Sequence, residues 1–223
     1  MLRNLGDIRG WLEALILSLP GMILAIVLHE MAHGWAAYLM GDRTAKNMGR
    51  LSPNPLHHLD LVGTLCMLFF GFGWAKPVPI NSANFKKRKF GIIMVSLAGP
   101  LANFAIAFIS VLFFYLLAFF APGWELGETG WKIVEFFIGV FTYSAVLNVG
   151  FMVFNLIPIP PLDGSKIVME FLPARIKYTI YNYERYFGLI LILFVYLGTL
   201  TPVLGVLRGY VLWFIESIVR LLF

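Results

Sequence analysis

Thirty-one consecutive residues, Gly91 to Ala121, carry no charged side chain. About 20 apolar residues in a helix cross the roughly 30 Å hydrocarbon core of a bilayer. Runs of comparable character occupy residues 11–40, 133–157 and 187–207, too many for one soluble core to hide. Lipid offers the backbone no hydrogen-bonding partners, so spanning segments must satisfy their own amides, and helices do so. The chain is therefore expected to be an all-α polytopic membrane protein, a helical bundle embedded in the lipid bilayer. Composition agrees: 60% of the 223 residues are hydrophobic and 13% charged, against about 25% charged in a soluble domain. Nothing is left over for a separate peptide-binding module, and residues 1–223 read as a single transmembrane domain.

The excess of 17 Lys and Arg over 12 Asp and Glu does not indicate nucleic acid, because the bases sit beside apolar runs, where they set topology and meet headgroups. Residues 41–90 hold eight of them against two Asp, whereas 122–131 hold only Glu125 and Glu128. The positive-inside rule then places the first loop in the cytoplasm. A single cysteine, Cys66, excludes an internal disulfide and reads as apolar packing.

The first run is too long for a cleaved signal segment and lacks a small-residue cleavage site. Pro20-Gly21 predicts a bent or two-part helix there. Residues 41–60 form a polar loop. Residues 61–84 are too short and too rich in Gly and Pro to span, which predicts a re-entrant or β-hairpin segment, either a strand edge for an extended peptide or a packed seal. Gly198, Thr201 and Pro202 lie as breakers inside the run 187–207, and residues 208–223 form either an extra span or an interfacial helix.

His29-Glu30-Met31-Ala32-His33 stands near the end of the first run. Histidines four apart on a helix lie on one face, one turn apart, so both imidazoles reach one metal ion, and Glu30 can meet a water there without binding the metal. Random placement of this chain's four His and eight Glu predicts about 0.003 such patterns. Titratable groups inside apolar helices are costly and mark function. Catalytic zinc takes three protein ligands and keeps an open position. The third ligand comes from elsewhere, with Asp163, Glu170 and Glu184 as candidates. Asp163 is favoured because Pro158, Pro160 and Pro161 unwind the end of a span and turn it inward, although it also suits a helix cap near Ser165.

Asn103, Asn148 and Asn155 lie in apolar runs, where they serve either as substrate-side or ligand-supporting groups or as bonds between helices. His58, in the loop, is a further candidate for a place at or near the metal.

The pattern HEMAH together with NLIPIPPLDG (Asn155 to Gly164) resembles the site-2 protease family of intramembrane zinc metalloproteases. The likeness extends through GDRTAKNMGRLSPNPLHHLDLVGT, WAKPVPIN and SLAGPLAN to its small, PDZ-less prokaryotic branch. The resemblance implies one zinc ion per chain held by His29, His33 and Asp163, with Glu30 catalytic and Asn155 beside substrate or ligand. It also implies cleavage of single-pass transmembrane substrates from the cytoplasmic side of the cell membrane, after a first cut elsewhere. Two other readings fit the residues: a membrane zinc protease with Glu as third ligand, and a metal-handling transporter.

Overall fold

The computed structural model describes residues 7–70 and 73–223. Helix α1 runs Ile8–Met40, α2 Thr44–Asn47, α3 Leu61–Phe70, α4 Arg88–Phe120, α5 Glu128–Asn155, α6 Asp163–Met169, α7 Ala174–Tyr196 and α8 Thr201–Arg220. Four helices are long and apolar enough to cross a membrane: α1, α4, α5 and α8. The chain is an all-α polytopic membrane protein.

Helices α1, α4 and α5 pack against one another, and α8 closes onto α4 and α5. The apolar core joins Ala107 and Val111 of α4, Ala145, Val149 and Val153 of α5, and Ile215 and Val219 of α8. Phe113, Phe120, Phe136 and Phe137 point outward and are exposed, an arrangement that suits lipid. Pro20 lies inside one continuous α1; the expected two-part helix is not seen. Gly41 ends α1 at φ +115, donating to Tyr38, while Asp42 donates to Ala37. This is the paired termination that a left-handed residue permits.

The expected span 187–207 is divided. α7 ends at Tyr196, residues 197–200 turn with Gly198 at φ +71, and α8 begins with Pro202 in its first turn. Proline is pre-set for that position because its missing donor would be unpaired there anyway. Residues 208–220 therefore continue a helix of spanning length and pack through Ile215 and Val219.

The expected re-entrant or hairpin segment is half helix. Asp60 caps α3 by accepting from the Gly63 amide at 2.8 Å. Ten residues, about 15 Å of helix, fall short of a bilayer. Residues 71 and 72 of that segment lie outside the described residues. From residue 73 the chain returns as irregular structure, and Lys76 N–H donates to the His58 carbonyl at 2.8 Å. No strand forms among the described residues beyond one isolated bridge, Leu59 with Ala75, because Pro77 and Pro79 lack the amides a ladder needs.

Candidate metal centre

His29 and His33 project from one face of α1, and both are buried. Asp163 joins them because the chain leaves the helix after Asn155 and turns through Pro158, Pro160 and Pro161. There Ile159 and Leu162 donate to the carbonyls of Ile157 and Ile159. Helix α6 then starts at Asp163. The Leu162 carbonyl accepts from the Ser165 amide at 3.1 Å and hydroxyl at 2.6 Å, so that turn is closed without the Asp163 carboxylate, which is turned to the histidines instead.

Asp163 Oδ2 lies 3.3 Å from His29 Nε2 and 3.0 Å from His33 Nε2, and the two nitrogens are 3.0 Å apart. On the far side of each ring, His29 Nδ1 meets Asn103 Oδ1 at 2.6 Å and His33 Nδ1 meets the Val95 carbonyl at 2.7 Å. A carbonyl only accepts, so the protons belong on both Nδ1 atoms and both Nε2 lone pairs face the carboxylate. Three electron-rich atoms thus converge in a buried space, an arrangement that a shared cation relieves. Ligands bonded at about 2.0–2.1 Å in a tetrahedral set lie about 3.3 Å apart. The donor atoms, their spacing and their orientation by second hydrogen bonds all fit zinc.

Three further elements shape the space. Gly99 of α4 lies against both rings: a Cβ there would stand 2.5 Å from His33 Nε2 and 2.6 Å from His29 Nε2. Asn103 Nδ2 donates to the Ala25 carbonyl and to Asn148 Oδ1, at 3.1 and 3.0 Å. Asn148 in turn donates to the Ser144 carbonyl at 2.9 Å, and the Ser110 and Ser144 hydroxyls meet at 2.9 Å. A polar chain thus ties His29 to α4 and α5. Glu30, next to His29, accepts the Val78 amide on Oε2 at 2.9 Å.

The returning segment that supplies this amide is pinned on both sides. Arg50 donates to the Lys76 and Pro77 carbonyls at 2.8 and 3.2 Å. The buried Asp42 accepts from the Asn81 amide at 2.7 Å, from the Asn84 side chain at 2.8 Å, and from Thr44. Burial pushes the Asp42 carboxyl up, but the bonds from Thr44, Asn81 and Asn84 outweigh it and hold it below the ordinary carboxylate range.

The structure therefore brings His29, His33 and Asp163 together as the one group of metal-type ligands among the described residues. Asn103 stands directly behind them and Asn148 one step further. Glu170 instead pairs with Lys177 at 3.1 Å. Asn155 donates to the Phe151 carbonyl of its own helix at 3.0 Å. His58 is fully buried, but its Nε2 is committed to the Ser52 carbonyl at 2.8 Å; it braces the loop and does not join the cluster. Sequence reasoning missed Asp42, Arg50 and Val78. The prolines flanking Val78 were a signal, since they leave it the sole amide donor from residue 77 to residue 79.

The profile of Peptidase family M50 matches residues 18–197. YwhC of Bacillus subtilis (strain 168), a candidate zinc metalloprotease by name, is 40% identical over 196 residues, which cover 86% of this chain and 82% of that protein. MJ0611 of Methanocaldococcus jannaschii, similarly named, is 39% identical over 156 residues, 69% of each chain. Rip2 of Mycolicibacterium smegmatis, also so named, is 29% identical over 160 residues, 70% of this chain and 57% of that one. No solved structure matches the chain. A buried donor set suited to zinc, set among helices of spanning length, agrees with these likenesses: the chain belongs to Peptidase family M50 and is a multi-pass membrane zinc metalloprotease.

Proposed function

We propose that this protease cuts peptide bonds in or near the transmembrane segments of single-pass membrane proteins, in regulated intramembrane proteolysis, with its active site toward the cytoplasm. The observation that carries the reading is the burial of His29, His33 and Asp163 where span-length helices meet the turn after α5. A site for soluble peptides has no need of that placement. The cytoplasmic side follows from the charge imbalance: the loop after α1 and the start of α4 carry the basic residues, and the turn between α4 and α5 is acidic.

His29 and His33 through Nε2, and Asp163 through its carboxylate, would hold the ion. When bound, zinc supplies Lewis acidity to the scissile carbonyl and to the attacking water. Glu30 takes a proton from that water and returns it to the leaving amide nitrogen. The Val78 amide on Oε2 restricts the orientation of this carboxylate. Asn103 and the Val95 carbonyl keep the two imidazoles in the tautomer that presents Nε2.

The decisive experiment compares wild type with Glu30→Gln and Asp163→Ala in zinc content and in cleavage of a model single-pass substrate in vesicles. Glu30→Gln is expected to keep its zinc and lose cleavage; Asp163→Ala is expected to lose both. Cleavage by Glu30→Gln at the wild-type rate would reject the role of Glu30. A wild type that cuts soluble peptides but no membrane-embedded segment would reject the substrate class.

A further inference from the structure

The two oxygens of Asp163 have different partners. Oδ2 faces the two imidazole nitrogens, whereas Oδ1 receives the Lys166 ammonium at 3.0 Å. Lys166 lies three residues on along α6, where the helical repeat puts both side chains on one face. Its side chain is 49% exposed while that of Asp163 is 6% exposed, so a solvated stem delivers a charge to a buried oxygen. Glu170, the nearest acid along α6, is taken by Lys177.

We propose that Lys166 is a positioning residue that restricts Asp163 to one-oxygen coordination and so keeps a place at the zinc open for water and substrate. The inference rests on the zinc site described above. A carboxylate with both oxygens free can bind a metal through both; with two imidazoles that makes four protein donors, the full complement of a closed tetrahedral site. A carboxylate with one oxygen bonded to an ammonium contributes one donor, and three donors with an open position is the catalytic arrangement. Lys166 thereby separates holding the metal from using it.

The test uses the full chain in vesicles, with zinc affinity from chelator competition, the visible spectrum after loading with Co2+, and cleavage of a model single-pass substrate. Lys166→Met is expected to bind zinc at least as tightly as wild type, to show an altered cobalt spectrum from the added carboxylate oxygen, and to cleave about 10- to 100-fold more slowly. Lys166→Arg, which restores a cation at Oδ1, is expected to recover the wild-type spectrum and most of the rate. Should Lys166→Met fold poorly, Lys166→Gln, neutral but still a donor, is expected to fall between the two. A cobalt spectrum identical in Lys166→Met and wild type would overturn the proposal, as would zinc loss in proportion to lost cleavage. Wild type that binds neither metal would overturn the zinc site itself, and the inference with it.

Discussion

His29 is held by helices and Glu30 by a loop, although the two are neighbours in the chain. Behind His29 stand Asn103 of α4 and, through it, Asn148 of α5, all within the packed bundle. In front of Glu30 stands the Val78 amide, on an irregular segment pinned by Arg50 and Asp42. Metal geometry is thus set by helix packing, where a side chain has few alternatives. Glu30 is aimed by hydrogen bonds from segments that cross the surface. Damage to the bundle should appear as lost zinc, and damage to the loop as lost turnover with zinc retained.

The sharpest way to break that division is Gly99→Ala. A methyl at this position falls within 2.6 Å of both imidazole nitrogens, and neither ring can retreat without giving up Asn103 or Val95. Zinc content is expected to fall below detection in a metal assay on purified protein, and cleavage with it. Full zinc in a folded Gly99→Ala protein would mean that the rings sit further from α4 than described.

A middle-sized effect belongs to Asn103→Ala. His29 loses its Nδ1 acceptor and the link to Asn148, but keeps its position on the helix. Partners of metal ligands are worth about 10–100-fold in metal affinity or activity, and chelator competition is expected to find a loss of zinc affinity in that range. Equal affinities would make Asn103 a bond between helices and nothing more.

The two halves of the site were also unequally legible in the sequence. The histidine pair could be read because helical periodicity turns a spacing of four into a shared face. Asp163 was readable as an acid beside prolines, but its meeting with α1 depends on a turn and a packing that spacing does not encode. The loop was the hardest part. Glu30 is served by the amide of Val78, and backbone donors carry no residue signature; the prolines at 77 and 79 marked where a ladder fails, not what the remaining amide would bind. The C-terminal helices were half legible: the breakers Gly198, Thr201 and Pro202 could be named in the sequence, but not whether they divide the span. Hydropathy runs on without a break across residues 187–207, while Gly198 and Pro202 decide where one helix stops and the next starts.

The smallest effect should come from Arg50→Met, which tests the loop half alone. Arg50 touches no ligand in the cluster; it ties the carbonyls of Lys76 and Pro77, the two residues before the amide that meets Glu30. Without it the segment keeps its anchors at His58 and Asp42, so the protein should fold and hold zinc as wild type does. The Val78 amide would spend less time on Oε2, leaving Glu30 more orientations and fewer productive ones. Turnover is expected to drop by about threefold to tenfold, the loss of one net hydrogen bond of about 1 kcal/mol, with KM little changed because the segment's other anchors keep it in place. A parallel loss of zinc would show that loop and bundle are one cooperative unit and remove the distinction between holding the ion and aiming Glu30.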